Sequence, residues 1–406
     1  MDRRIQACLL ALLLVTGAVA RLFHEGDLRG RTPDERVYTT NAQVIADEGF
    51  RGVRRLVVQH NATPAEWIYP EPTRVGYLWP VAWTMELTRY RDERAGSWLS
   101  WFCSVLSLGL LAWTGWRFFN PWIAAVALLL ADFGVPDLVL ARRAWQDSAT
   151  ELIGLTIACC ACEALLSSKR LGWLAALGAT GGYSLLVKDS SPGVFGFWVL
   201  WLAWALIVRE KNWRDVTRLT ALAAAATAAA VIVLVALCGG FRPLLDVYVL
   251  TGSALGANPY AVEYQSGSWI RFFSSFFTLS PLTTSLFLIG AVAAVRREQP
   301  VLTGLAIFPL FLLASMLVLP NSQNVRYLSP VYGSVYLVAA HGFWWTMQRA
   351  RQLLNTTAFR FASLTLFAVL LVAAAEDWRE FERVFVANET ADLSVKMIAD
   401  STGKLP

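Results

Sequence analysis

The sequence predicts an all-α integral membrane protein with about eleven transmembrane helices. The chain of 406 residues is 56% hydrophobic and only 16% charged, whereas soluble domains carry about 25% charged residues. Its mean hydropathy is +0.47. The charges are clustered, because 22 of them lie between Arg21 and Arg94. One polar insert therefore interrupts a largely apolar chain, and a water-soluble globule is excluded.

Eleven apolar runs approach the length of about 20 residues that a helix needs to cross the hydrocarbon core of a bilayer. They cover residues 5–20, 97–116, 121–134, 148–167, 171–187, 192–208, 219–238, 281–295, 300–319, 329–346 and 361–375. A twelfth stretch, residues 75–88, is shorter and contains Pro80 and Glu86. Its length favours an interfacial or re-entrant helix.

The lysines and arginines of the short loops predict the orientation. With eleven spans and a cytoplasmic start, the inside loops carry 14 of them and the short outside loops carry 6. Counting residues 75–88 as a span would reverse this bias. We therefore expect a multi-pass protein of the inner or plasma membrane, with a transmembrane domain of residues 1–375 and a short polar tail of residues 376–406. Its first extracytoplasmic loop, residues 21–96, carries interfacial helices.

The N-terminus allows a second interpretation. Basic residues, an apolar run and the sequence Ala18-Val19-Ala20 also have the form of a cleaved secretory signal. Cleavage would leave the orientation of the remaining chain unchanged, because the insert would still emerge outside.

Net charge and cysteines point to no further partner. The net charge of +5 is explained by the inside loops, so no nucleic-acid partner is expected. The six cysteines lie within or at the end of apolar runs, where no disulfide framework is expected.

The polar insert begins with a short amphipathic helix. Thr32 and Glu35 have the spacing of a capping box around Pro33, and an apolar stripe follows until Gly49. The stripe consists of Tyr38, Ala42 and Ile45. Asp34 and Glu35 can simply complement the helix dipole, or they can serve chemistry just outside the first span.

Other polar residues lie at predicted outer span ends. They are Arg143, Asp147, Lys188, Arg326 and Tyr327. Asp147 can be a first-turn acid of the next helix, and Lys188 can be a snorkelling lysine paired with Asp189. Together, however, acids and cations on one side suit transfer of a sugar from a lipid phosphate. Such a transfer needs a base for the acceptor hydroxyl and cations for the departing phosphate.

These features resemble the GT-C glycosyltransferases of the protein O-mannosyltransferase and aminoarabinose transferase type, including the bacterial lipopolysaccharide-core members. The matching features appear in the family's order over about residues 1–346. They are Asp34-Glu35 followed by Tyr38, the element from Arg143 to Asp147, Lys188 at a span end, and Arg326-Tyr327 before a proline and an apolar run.

The resemblance implies a membrane glycosyltransferase that moves a sugar from a polyprenyl phosphate to an extracytoplasmic glycolipid, polysaccharide or protein, with inversion. It implies that Asp34 and Glu35 are catalytic, Asp34 being the base. Asp147 would orient the acceptor or hold a divalent ion such as Mg²⁺ or Mn²⁺. Arg143, Lys188 and Arg326 would bind the donor phosphate. Further substrate contacts are expected from Tyr38, Tyr69, Glu71, Arg74 and Tyr327.

The chain also departs from the family. Residues 69–74 read Tyr-Pro-Glu-Pro-Thr-Arg where the family often has a lysine or histidine beside paired prolines, and about 30 polar residues replace the soluble domain of many members. Two other functions remain open, a polytopic transporter or flippase and a lipid-linked oligosaccharide polymerase or ligase. Transporters tend to place ionisable groups and broken helices at the bilayer midplane.

Overall fold

In a computed structural model, the described part of the chain folds into a bundle of sixteen α-helices. The structure describes residues 3–22, 32–63, 70–257, 270, 273, 280–297, 299–318 and 324–387. Among these residues there is no strand, so the all-α prediction is confirmed. The helices are α1 (Arg3–Ala20), α2 (Pro33–Glu48), α3 (Phe50–Ala62), α4 (Val75–Thr88), α5 (Glu93–Phe118), α6 (Pro121–Phe133), α7 (Val135–Arg142), α8 (Asp147–Leu166), α9 (Arg170–Ser184), α10 (Ser191–Glu210), α11 (Trp213–Cys238), α12 (Phe241–Ala257), α13 (Pro281–Arg297), α14 (Pro300–Val318), α15 (Tyr332–Leu353) and α16 (Thr356–Phe381).

Each of the eleven apolar runs coincides with a helix, namely α1, α5, α6, α8, α9, α10, α11, α13, α14, α15 and α16. By length and composition, six described helices can cross a membrane, and α6 with α7 makes a seventh if this bent pair is one span. The chain is thus a multi-helix membrane protein, while the count of eleven spans stays a prediction.

Successive long helices run between two ends of the bundle. At one end Arg117 of α5 pairs with Glu163 of α8 at 2.6 Å, and Arg170 of α9 pairs with Glu210 of α10 at 2.6 Å. The start of α8, the end of α9 and the start of α10 lie at the other end, which we call the site end. Polar residues of the connections are thereby collected at the site end.

A break between α6 and α7 shapes the site end. The two helices meet at Gly134 with a bend of 62°. Pro136 stands at the start of α7, where its missing N–H is tolerated. The short α7 therefore departs from the direction of α6 and delivers residues 143–146 to the site.

Close helix contact joins α13 to α15. α13 packs along α15, and a Cβ at Gly290 would overlap the carbonyl oxygen of Val338, while one at Gly342 would overlap that of Leu286. Small residues allow the two backbones to approach, which is a common device in membrane helix packing. α15, which follows the turn that carries Arg326, is consequently held close to α13.

Helices α2, α3 and α4 form a layer at the site end. The predicted stripe is confirmed, because Tyr38, Ala42 and Ile45 are all buried. α4 coincides with the predicted short helix of residues 75–88; its Val81 is buried whereas Trp83 is exposed. Helix α3, which lies between α2 and α4 in the chain, has arginines on its exposed face.

Candidate active site

The start of α2 is locked by Glu35. This carboxylate is fully buried and accepts hydrogen bonds from the backbone N–H of Thr32 at 2.9 Å and of Ala144 at 2.9 Å. It also pairs with Arg143. Trp145 Nε1 donates to Thr32 Oγ1 at 3.1 Å. The capping box thus does more than start a helix, because it ties α2 to the connection between α7 and α8.

Asp34, the neighbouring acid, belongs to a chain of alternating charges. It pairs with Arg326, whose Nε lies 3.6 Å from Asp147 Oδ2. Asp147 in turn pairs with Lys188. Asp34 is the most accessible member, with 23% of its side chain exposed, whereas Asp147 is 1% exposed. A partly exposed acid therefore contacts one cation, Arg326, and is linked through Asp147 to a second, Lys188.

The turn before α15 sets the position of Arg326. Residues 325–331 form a 3₁₀ helix whose N-cap, Asn324, accepts from the backbone N–H of Arg326 at 3.1 Å. The guanidinium carbon lies 4.8 Å from the ring centroid of Trp145, so cation–π attraction adds to the ion pairs. Tyr327 faces Lys188, with 5.1 Å between Nζ and the ring centroid.

Burial of Lys188 affects its protonation. Desolvation lowers the pKa of this lysine, and the adjacent Asp147 opposes the shift. The side chain of Lys188 is 5% exposed. The acid that pairs with Lys188 is Asp147 of α8 and not its chain neighbour Asp189, which pairs with Arg74.

A second polar group surrounds Arg74, just before α4. Its Nη2 contacts Glu71 Oε2 at 2.6 Å and Asp189 Oδ2 at 2.7 Å, and its Nη1 donates to Tyr38 Oη at 2.5 Å. With the amide of Gln146 oriented to satisfy its neighbours, its oxygen accepts from Arg74 Nη1 at 2.8 Å. Gln146 precedes Asp147 directly, so the two polar groups are adjacent.

Burial also alters the acids and phenols of this second group. Burial raises the pKa of Glu71 to about 7, with Arg74 lowering it and Asp189 raising it. Burial raises the pKa of Tyr38 as well, so its hydroxyl remains protonated. Glu71 is consequently the acid of the site that changes its charge near neutral pH.

An apolar groove leads to these cations. It lies between α10 and α11, has a volume of about 630 Å³, and is lined mainly by apolar side chains. Its polar end is formed by Lys188, Asp189 and Tyr248. Gly196 lines its wall, and a Cβ there would meet no atom within 4 Å. The groove thus ends at one basic and one acidic side chain, Lys188 and Asp189.

The structure brings together most of the residues singled out from the sequence. Asp34, Asp147, Lys188, Arg326 and Tyr327 form one cluster, and Tyr38, Glu71 and Arg74 form the adjacent one. Glu35 and Arg143 pair with each other beside the first cluster. Tyr69 lies outside the described residues.

Sequence reasoning missed three contributors. Trp145 and Gln146 lie inside the element from Arg143 to Asp147. Their aromatic and amide groups could have been proposed as contacts to the charged residues of the site. Ser329, whose Oγ lies 3.5 Å from Asp147 Oδ1, carries no distinctive signal because serine is common in turns.

The described side chains present no ready metal site. Among the described residues, no group of three or more histidine, cysteine, aspartate or glutamate side chains is placed to hold a metal ion. Arg326 also occupies the space between Asp34 and Asp147, which a metal bridging the two carboxylates would have to displace. The divalent ion expected from the sequence stays a prediction, and no catalytic step below depends on it.

Solved structures with the same fold were found by comparison. ArnT from Cupriavidus metallidurans in the apo state has a TM-score of 0.57 and 17% identity, covering 97% of this chain and 77% of ArnT. The same protein bound to undecaprenyl phosphate gives 0.57 and 16%, covering 98% and 79%. This chain has the GT-C fold. The resemblance inferred from the sequence is confirmed at the level of the fold.

A more distant neighbour shares the fold over part of its length. The archaeal oligosaccharyltransferase AglB from Archaeoglobus fulgidus, in complex with an inhibitory peptide and a dolichol-phosphate, has a TM-score of 0.57 and 10% identity. The match covers 92% of this chain and 56% of AglB. No family model and no curated protein matches the sequence.

Proposed function

We propose that the protein is a membrane glycosyltransferase that moves a sugar from a polyprenyl phosphate to an acceptor on the extracytoplasmic side. One observation carries the proposal, which is that an apolar groove ends at Lys188, within the cluster that contains Asp34 and Arg326. A lipid chain fits such a groove, and a phosphate fits cations at its end. ArnT bound to undecaprenyl phosphate has the same fold, which supports a donor of this class.

Asp34 is proposed as the general base. It takes the proton of the acceptor hydroxyl while the hydroxyl oxygen attacks the anomeric carbon of the sugar. The bond between that carbon and the phosphate oxygen breaks, and its electron pair stays on the phosphate. Such a single displacement inverts the anomeric configuration.

Lys188 and Arg326 are proposed to bind the donor phosphate. Both stand beside the groove end or beside the base, and both are largely buried, so their charges act with little screening. A phosphate that engages Arg326 weakens its hold on Asp34, which makes the carboxylate available to the acceptor. Donor binding thereby prepares the base.

The remaining residues have supporting roles in this proposal. Glu35 and Arg143 position α2, because both carboxylate oxygens of Glu35 are already used. Asp147 holds Lys188 and Arg326 in place and can orient the acceptor. Further contacts to the donor are expected from Tyr38, Arg74 and Tyr327, which lie in or beside the two clusters.

Removal of the gene tests the proposal. Mass spectrometry of lipid-linked sugars and of cell-envelope glycans is compared with and without the gene. We expect one polyprenyl-phosphate sugar to accumulate and one glycan residue to disappear, and these two changes name donor and acceptor. An unchanged lipid-linked pool together with a lost solute uptake would support a transporter instead.

The kinetics of an Asp34 variant test its assignment as the base. Asp34→Asn should lower kcat about 10²- to 10⁴-fold, because a positioned base contributes about that much, while binding of the donor lipid persists. The expression level and the apparent Tm of the variant provide the control. Transfer at a near-native rate by purified Asp34→Asn protein would show that another group is the base.

A further inference from the structure

Charge balance in the site is unusual for one that takes an anion. The two clusters, together with the adjacent pair of Glu35 and Arg143, contain five carboxyl groups and four cations. The acids are Asp34, Glu35, Glu71, Asp147 and Asp189, and the cations are Arg74, Arg143, Lys188 and Arg326. Every cation is engaged by at least one carboxylate. A lipid phosphate must therefore compete with an acid of the chain for whichever cation it binds.

Arg74 is the cation for which competition is easiest. Two carboxylates, Glu71 at 2.6 Å and Asp189 at 2.7 Å, contact the same nitrogen, Nη2. One guanidinium charge offsets only one of them. Arg74 can thus lose one carboxylate and still remain paired. If a phosphate drew Arg143 away from Glu35, by contrast, the charge of this buried carboxylate would lose its ion-pair partner.

The two carboxylates on Arg74 differ in exposure. Glu71 is 1% exposed and packed beside α4, but Asp189 is 35% exposed and stands in the connection between α9 and α10. Asp189 also forms the polar end of the groove together with Lys188 and Tyr248. A phosphate at the end of the groove would meet Asp189 first, and Asp189 has solvent into which it can move.

We propose that Asp189 competes with the lipid phosphate for Arg74. Asp189 pairs with Arg74 before the lipid binds and gives up this cation to the incoming phosphate. After the reaction, Asp189 pairs with Arg74 again and thereby displaces the phosphate. The inference rests on the proposed function, since it concerns the donor and product lipids of that site. Asp189 is a residue that sets affinity and release, and it does not touch the reacting atoms.

Product release gives this competition its purpose. The donor is a phosphodiester with one negative charge, whereas the released lipid phosphate is a monoester with a charge of about −1.5 to −2 at pH 7. The same cations hold the product more tightly than the donor. A carboxylate that re-engages Arg74 weakens this hold and shortens the time for which the product occupies the site.

Binding of farnesyl phosphate, a soluble prenyl phosphate monoester, to the full-length protein in nanodiscs tests the inference. Asp189→Asn should lower the Kd about tenfold, because it removes one negative charge from a partly exposed position. Asp189→Glu keeps the charge and should bind like the wild type. Asp47→Asn serves as the control, because it removes an exposed acid of α2 that pairs with Arg91 and not with Arg74. This variant should also bind like the wild type.

The outcomes separate this inference from the proposed function. If the wild type binds, Lys188→Met raises the Kd about thirtyfold and Asp189→Asn has a wild-type or higher Kd, competition by Asp189 is refuted while the phosphate site stands. If neither the wild type nor Asp189→Asn binds, the proposed function and the inference both fail. A merely structural role would shift the apparent Tm of Asp189→Asn without tightening its binding.

Discussion

The pair of Lys188 and Asp147 allows the strongest test of the phosphate site, because a structural and a binding role can be separated. The two side chains are 5% and 1% exposed, so Lys188→Met leaves a buried carboxylate without its closest partner. Arg326 at 3.6 Å and Ser329 at 3.5 Å remain beside it. The expected loss of stability is therefore about 2–3 kcal/mol, below or at the lower limit for a broken buried pair.

Binding should respond differently from stability. A charge-assisted hydrogen bond to a phosphate contributes about 2 kcal/mol, which corresponds to about thirtyfold in Kd. Lys188→Met should raise the Kd for farnesyl phosphate by this factor. Asp147→Asn should lower the Kd, because it removes a negative charge beside the phosphate.

The double variant Lys188→Met with Asp147→Asn decides the matter. It contains neither the lysine nor the buried charge, so its apparent Tm in nanodiscs should recover most of the loss. Its Kd for farnesyl phosphate should remain well above that of the wild type. Recovery of wild-type affinity in the double variant would mean that Lys188 only neutralises Asp147 and binds no phosphate.

Two further predictions concern Glu71 and the groove. Burial raises the pKa of Glu71 to about 7, so the charged form of Glu71 opposes folding, and the stability of the wild type should fall as the pH rises from about 4.5 to 7. Glu71→Gln should reduce this fall, and equal profiles of apparent Tm against pH for the two proteins would contradict the prediction. Gly196→Leu should raise the KM for the lipid donor about tenfold by narrowing the groove, whereas Gly193→Leu, on the same helix but outside the lining, should not; an equal KM in the two variants would exclude the groove as the lipid path.

Much of the site follows from the sequence because topology places span ends together. Asp147, Lys188 and Arg326 were each expected at a span end on one side, and residues at one end of a bundle meet whatever their separation along the chain. The start of α2 was predicted for a local reason, since a capping box needs only residues three positions apart.

The choice of partners within the site could not be predicted. Lys188 and Asp189 are neighbours, yet each pairs across the molecule, with Asp147 and Arg74 respectively. Which of two adjacent side chains points to which cluster depends on the backbone of a short connection, and no periodic pattern records it. The number of spans is likewise a matter of helix tilt and depth, which hydropathy alone does not define.

Arg142 ties together the two ends of the chain. It donates to the carbonyl oxygen of Ala20 at the end of α1 at 2.6 Å, and its guanidinium carbon lies 4.6 Å from the ring centroid of Phe381 at the end of α16. Its neighbour Arg143 points the other way, to Glu35. Among the described helices, synthesis from the N-terminus delivers α16, which ends at Phe381, after all the others. The wall of the candidate site that residues 142–147 form is consequently completed only when α16 packs against α7.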